Sequence, residues 1–121
     1  MVDEIEIEQI LMDVGIPAHL LGWRYSKKAI MIALEDENKL TLITRNLYPD
    51  VAKAFKTTSS GVERGIRNAL KKAWRNTEHI KKSKITQYVP HDKRFTNKEF
   101  IAVAVGLLKF KMQREELKTK S

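Results

Sequence analysis

The stretch that most constrains the fold lies in the middle of the chain, at residues 47–74. It has the pattern of a short helix, a tight polar turn and a longer helix, and Pro49 suits the first turn of the short helix, where its missing N–H is not needed. At about 100° per residue, one side of the longer helix is apolar and carries Val62, Ile66, Ala69, Leu70 and Ala73. This layout is typical of a helix-turn-helix, whose second helix enters the major groove of DNA.

The other side of the longer helix is polar and mostly basic. It carries Ser60, Glu63, Arg64, Arg67, Asn68, Lys71 and Arg75. Most charged helix faces are simply solvated, but this one combines donors and acceptors suited to base edges with cations suited to phosphates. We therefore predict that these residues, together with Gly61 near the start of the helix, contact DNA.

Two details of this region bear on the prediction, one an open alternative and the other a departure from the motif. Ser60-Gly-Val-Glu63 has the pattern of a capping box, so Glu63 either closes the start of the helix or accepts a hydrogen bond from a cytosine amino group. The turn has Thr57 at the position where this motif usually has glycine.

Charge is distributed unevenly along the 121 residues, which have a formal net charge of +8. The first 13 residues contain no base and five acids, which are Asp3, Glu4, Glu6, Glu8 and Asp13. Since the whole chain is +8, the other 108 residues carry +13, and residues 71–98 alone have nine Lys or Arg against two acids. The balance favours a nucleic-acid partner, and it predicts that the acidic N-terminal helix lies away from the basic face, because acids beside phosphates would weaken binding.

Several other classes of protein are disfavoured by composition. The chain has no cysteine, and His19, His79 and His91 are too widely spaced to predict a metal site. No nucleotide-binding or hydrolase motif occurs, so we expect no catalytic residues, cofactor or metal. The longest apolar run, residues 100–108, is too short to span a bilayer and the N-terminus is unlike a signal peptide, so we expect a cytoplasmic, nucleoid-associated protein.

Apolar spacing predicts helices elsewhere in the chain as well. A first helix has its stripe at Ile7, Ile10, Leu11 and Val14, and Gly15 and Pro17 end it. We predict a second helix from Trp23 or Tyr25 to about Leu34, a short third one from Thr41 to Leu47, and a fourth that turns Val51, Ala52 and Phe55 inward.

The C-terminal third combines an irregular stretch with a strong helix. Residues 76–95 show no clean period and are predicted to be a basic loop. Thr96-Asn-Lys-Glu99 is a second capping box, which opens a final helix to about Leu117 that is apolar around most of its first half. We expect one domain over residues 1–121, with an all-α, compact six- to seven-helix architecture that contains the helix-turn-helix.

Ordered short motifs along the chain resemble a known family. They are Ile16-Pro-Ala-His19, Gly22-Trp-Arg-Tyr25, Lys28-Ala-Ile30, Leu47-Tyr-Pro-Asp-Val-Ala-Lys53, Phe55, Thr57-Thr58, Val62-Glu-Arg-Gly-Ile-Arg67, Ala73-Trp74 and the later Phe95-Thr-Asn-x-Glu-Phe-Ile-Ala102. Together they cover roughly residues 10–110 and look like the DNA-binding effector domain of the stage zero sporulation master regulator of spore-forming bacteria. The resemblance implies an all-helical domain that binds short DNA boxes, often as tandem copies.

The resemblance also assigns roles to residues. It implies that Glu63 reads a base, that Arg64 and Arg67 contact DNA from the recognition helix, and that His19 contacts the DNA backbone. The chain departs from the family pattern at Gly61, where the family usually has an arginine that reads guanine, and in residues 75–90, whose counterpart helps to contact the RNA polymerase sigma subunit. Met1 leads directly into the first effector helix, so we expect a regulator without the family's phosphoacceptor receiver domain.

Two classes of function follow from these observations. The first is a sequence-specific regulator of transcription that binds double-stranded DNA, as a tandem homodimer where two boxes adjoin, and acts as a repressor or competitor rather than an activator. The second is a protein-interaction module of the same fold that antagonises a full-length regulator without binding DNA, and Gly61 favours it. A non-specific nucleoid or RNA binder is a third interpretation.

Overall fold

The computed structural model describes residues 4–89 and 94–120, and every regular element in these ranges is helical. The α-helices are α1 (Glu4–Val14), α2 (Leu21–Glu35), α3 (Ile43–Asn46), α4 (Tyr48–Ala54), α5 (Ser59–Arg75), α6 (Thr77–Lys81) and α7 (Asn97–Lys120), with 3₁₀ helices at Glu37–Leu40 and Ile85–Tyr88. The predicted all-α architecture of six to seven helices is therefore confirmed.

The helix-turn-helix, α4 and α5, is held against α2. Gly22 of α2 and Gly65 of α5 face each other, and a Cβ atom on Gly22 would come within 2.3 Å of the Gly65 carbonyl oxygen. On Gly65 it would lie 2.7 Å from the ring of Tyr25. The absence of both side chains is what lets the two helices approach so closely, and the buried face of α5 predicted from sequence completes the contact.

The acidic helix α1 packs on the far parts of α2 and on α6 and α7. Ile7, Leu11 and Val14 are buried as predicted, whereas Ile10 is only partly covered. The helix ends at Gly15, whose φ of +96° lets its N–H and that of Ile16 both bond to the Leu11 carbonyl at 3.1 Å.

The long helix α7 closes the core with its first half. Phe100, Ile101, Ala104, Val105 and Leu108 are buried, and beyond them Phe110 and Leu117 are exposed. Its start is the predicted capping box: the Thr96 N–H donates to Glu99 Oε1 at 2.8 Å, and the Glu99 N–H donates to Thr96 Oγ1 at 3.1 Å. Within residues 4–89 and 94–120, no helix is both long and apolar enough to cross a membrane.

The prediction of a loop over residues 76–95 was wrong at residues 77–81 and 85–88, which are helical. Asn76 Oδ1 accepts from the His79 N–H at 3.3 Å and caps α6, and the 3₁₀ helix follows after one turn. Ile80 and Ile85 anchor these short helices in the core. Two helices of about one turn each bury too few apolar residues to produce a period in the sequence. His91 lies outside the described residues.

Two smaller predictions also need correction. The predicted third helix, residues 41–47, is interrupted at Leu42, whose left-handed φ of 53° separates the first 3₁₀ helix from α3. Phe55 follows the end of α4 and remains 37% exposed, and its ring forms an edge-to-face pair with Tyr25 at a centroid distance of 5.3 Å. Val51 and Ala52 are buried as predicted.

The contact between α2 and α5 makes a specific prediction for stability. Gly22→Ala is expected to destabilise the protein by about 1–3 kcal/mol, because a new methyl group would overlap the α5 backbone. Gly106→Ala is the matched control: no atom lies within 4 Å of a Cβ there, so it should stabilise α7 by about 0.5–1 kcal/mol. Urea unfolding measures both, and a Gly22→Ala variant as stable as the wild type would contradict the close contact.

Candidate nucleic-acid interface

The turn between α4 and α5 is built without glycine. The left-handed residue is Lys56, with a φ of 53°, and not Thr57, the position that glycine usually takes in this motif. The Thr57 N–H returns to the Ala52 carbonyl at 3.0 Å and closes the end of α4. A lysine therefore adopts a backbone conformation that usually falls to glycine, and its side chain adds a cation at the corner of the motif.

The prediction of a capping box from Ser60 to Glu63 was wrong. The helix begins at Ser59, and Thr58 is its cap, with Oγ1 accepting from the Gly61 N–H at 3.0 Å. The Thr58 carbonyl already accepts from the Val62 N–H at 3.0 Å, so the first turn is complete before Ser60 can cap it. Glu63 is thereby released from the start of the helix.

The carboxylate of Glu63 pairs with Arg67 instead. Glu63 Oε1 accepts from Arg67 Nη1 at 2.5 Å, one helical turn further on. Both side chains are partly exposed, so the ion pair contributes little to the free energy of unfolding. Its effect is to orient the Glu63 and Arg67 side chains toward each other. An acceptor on Glu63 and free N–H groups on Arg67 both remain available to an external ligand.

The other predicted residues of α5 share its outward face. Exposed side chains on this face are Ser60, Arg64, Arg67, Asn68, Lys71 and Arg75, while Gly61 and Glu63 are partly covered. A Cβ on Gly61 would lie 2.9 Å from Thr57 Oγ1 and 3.2 Å from Thr58 Oγ1, so a larger residue there requires the Thr57 hydroxyl to move and crowds the cap of the helix. His19 is exposed just before α2 begins, close in the chain to the Gly22 contact with α5.

In the described part of the chain, most cations of this face have no acid beside them. Arg64, Lys71 and Arg75 have no carboxylate partner among residues 4–89 and 94–120. Some lysines away from α5 do bind acids: Lys27 to Glu4 at 3.0 Å, Lys39 to Asp50 at 2.9 Å, and Lys109 to Glu37 at 3.1 Å. The hydrogen bond to Glu4 raises the pKa of Lys27. Positive charge is thus left uncompensated where α5 faces outward.

The start of α7 is fastened to the helix-turn-helix by one amide. Asn97 Nδ2 donates to the Glu63 carbonyl at 3.0 Å and to the Tyr48 hydroxyl at 3.2 Å. Burial raises the pKa of Tyr48, so its hydroxyl stays neutral as the acceptor. Sequence reasoning missed this junction, because the spacing of residues 48, 63 and 97 carries no pattern that links them.

The junction brings Arg94 and Lys98 beside α5. Both were counted among the basic residues of the C-terminal third, but not assigned to the predicted interface. The second capping box is the sequence signal nearest to them, because it fixes where α7 begins. That signal does not show which helix α7 contacts; the hydrogen bond from Asn97 to the Glu63 carbonyl of α5 does.

A comparison with protein families agrees with this arrangement. The model described as the C-terminal domain of the sporulation initiation factor Spo0A matches residues 7–108, most of the chain and all of the helix-turn-helix. That family is one of DNA-binding effector domains of transcription regulators and is not an enzyme family. The chain belongs to the family of Spo0A C-terminal domains and is a DNA-binding regulatory domain.

Proposed function

We propose that the protein is a sequence-specific regulator of transcription in which α5 lies in the major groove of double-stranded DNA. The observation that carries the proposal is the outward face of α5, where uncompensated cations lie among groups that read bases. The proposed contacts are Ser60, Gly61, Glu63, Arg64, Arg67, Asn68, Lys71 and Arg75, with His19 on the backbone. In this proposal residues 1–121 form one domain. It acts on the nucleoid and uses no cofactor.

The regulator is proposed to repress or compete rather than to activate. The support is the departure from the family pattern over residues 75–90, the stretch whose counterpart helps to contact the polymerase sigma subunit. Here it holds the capped α6 and a 3₁₀ helix, and its exposed cations include Lys81, Lys82 and Lys84. Contact with the sigma subunit is therefore not part of the proposal.

One observation supports a different function. Gly61 removes the long side chain with which the family usually reads guanine, and a protein that keeps the fold without that contact suits an antagonist that binds a full-length regulator. Selection of bound duplexes from a random pool separates the possibilities. A recovered motif supports the regulator, affinity without a motif supports a non-specific binder, and no binding supports the antagonist.

Duplex affinity is expected to depend on the cations of α5. Arg64→Ala combined with Arg67→Ala should weaken binding, and the slope of log affinity against log salt should become shallower by about 0.9 for each phosphate that the variant no longer neutralises. Mobility-shift titrations at several salt concentrations measure both quantities.

The matched control removes the same charge from the far half of α7, by Arg114→Ala combined with Lys118→Ala. Arg114 and Lys118 lie beside residues of α1, Lys84 and Ile85 in a groove that no residue of α5 lines. If α5 is the contact, the control should bind nearly as the wild type does, because salt screens charges away from the interface. Equal reductions of affinity in the two double variants would mean that net charge, and not the face of α5, determines affinity.

Glu63 is expected to read a base. Glu63→Gln should relax the preference at one base pair, because an amide donates as well as accepts. Thr58→Ala is the complementary variant: it removes the true cap and should cost about 0.5–2 kcal/mol of stability while leaving the preferred sequence unchanged.

Binding-site selection and thermal melting, applied to both variants, separate the two roles. The exposed pair with Arg67 is worth only about 0.3–0.5 kcal/mol, so Glu63→Gln should melt close to the wild type. An unchanged motif in Glu63→Gln would remove Glu63 from the residues proposed to read bases.

Pairing of two copies on adjacent boxes is also part of the proposal. Of the apolar residues in the middle of α7, Val105 and Leu108 are buried in the core, whereas Phe110 is 61% exposed. The net charge of +8 opposes association in solution, and DNA both neutralises that charge and raises the local concentration. We therefore expect a monomer or weak dimer when free, and a cooperative pair on DNA.

Phe110→Glu is expected to abolish that cooperativity and to spare the packing of the core. The measured quantity is the ratio of affinity on two-box DNA to affinity on one-box DNA, in which the effect of the added charge on each single box cancels. Phe110→Leu is the control and should keep the ratio. A wild-type ratio that shows no increase from the second box would refute pairing.

A further inference from the structure

An open groove runs beside α5, between that helix and the start of α7. Its volume is about 450 Å³. Four cations line it: Arg67 and Lys71 from α5, Lys98 from the first turn of α7, and Arg94 just before that helix. Thr44 and Tyr48 also line it. Glu63 is the one acid among the described residues of the lining, and it already binds Arg67.

The cations on the α7 side are held in a fixed position. Asn97 ties the first turn of α7 to the Glu63 carbonyl, and Phe95 is buried between the rings of Trp74 and Phe100 at centroid distances of 5.2 and 6.1 Å. Arg94 and Lys98 flank these two anchors in sequence. Their backbone therefore belongs to the rigid body of the helix-turn-helix.

These two side chains are exposed and uncompensated. Neither Arg94 nor Lys98 has a carboxylate partner among residues 4–89 and 94–120. The nearby Glu99 carboxylate is occupied by the Thr96 N–H. The N–H groups at the start of α7 are partly used by the capping box, so the binding groups on this wall are the side chains and not the helix terminus.

The dimensions of the DNA major groove indicate which part of a duplex would face Arg94 and Lys98. The major groove is about 12 Å wide, so its two phosphate backbones run about 6 Å from a helix lying at its centre. Packed helices have axes about 8–10 Å apart, which places an element packed beside a recognition helix over one of those backbones. Cations on such an element meet phosphates and no base edges.

We propose that Arg94 and Lys98 form a second phosphate-binding site, which holds the DNA strand that borders the groove read by α5. The inference rests on the proposed function, because it places α5 in the major groove. It extends the interface from one helix to both walls of the basic groove, and it assigns to the start of α7 a contact that is independent of sequence.

The test uses the full chain and a double variant, Arg94→Gln combined with Lys98→Gln. Its control is Arg114→Gln combined with Lys118→Gln, an equal reduction of charge in the far half of α7, where Arg114 lies about 24 Å beyond Lys98 at the α-helical rise. Affinity for a duplex of about two helical turns is measured across a range of salt concentrations. Sequence preference is measured by selection from a random pool, and melting temperature reports the fold.

The expected result for the Arg94/Lys98 variant is a salt slope that is shallower by about 0.9 for each phosphate left without its cation, with the preferred sequence unchanged. The control should keep the wild-type slope. The Arg94/Lys98 variant should melt as the wild type does, since neither side chain has a carboxylate partner among the described residues.

Three results would overturn the inference. A wild-type slope in the Arg94/Lys98 variant, with binding abolished in the Arg64/Arg67 variant, removes the second site and leaves the proposed function intact. Poly-glutamate binding is titrated for the same variants; if the Arg94/Lys98 variant binds it more weakly while its DNA binding is unchanged, the groove is a site for an acidic polypeptide. No salt-dependent binding of any duplex by the wild type removes both proposals.

Discussion

The close approach of α2 and α5 at Gly22 and Gly65 is the constraint on which the rest of the structure depends. The Gly65 carbonyl oxygen occupies the place that a side chain on residue 22 would take. This contact fixes the distance between α2 and α5 and the rotation of α5 about its own axis. That rotation determines which residues of α5 face outward. The same contact places Tyr25 against both Gly65 and Phe55, so the turn between α4 and α5 is supported from beneath.

Ion pairs bind several acids of the supporting helices and leave most cations of α5 without a carboxylate partner among the described residues. The acids of α1 are bound by cations of neighbouring helices, with Lys27 between Glu4 and Glu8 and Lys111 beside Glu6. Within the described ranges, the acids of α1 thus pair with cations of α2 and α7 and not with those of α5. The unpaired cations of α5 stay available to a polyanion.

Much of the fold could be predicted from the sequence, and the exceptions have physical causes. The buried side of α5, the end of α1 at Gly15 and the capping box of α7 follow from local rules that involve residues three or four apart. The cap of α5 was misassigned because Thr58, Ser59 and Ser60 all have the chemistry of a cap, and only the turn geometry set by Lys56 selects Thr58. The outward face of α5 was predictable because it is the complement of the buried one. The groove was not, since it depends on Asn97 reaching Glu63 and Tyr48 across the fold.

Asn97 also limits how this sequence can vary. Position 97 is the first residue of α7, where an acid is ordinarily favoured by the helix dipole. Here the side chain faces two oxygen acceptors at once, and an amide supplies the two N–H groups that they need. An aspartate would set negative charge against a carbonyl and a phenol, and a serine has a single proton to give. A substitution that improves the helix in isolation would therefore detach it from the helix-turn-helix, so sequences that share this junction should retain asparagine against the local preference.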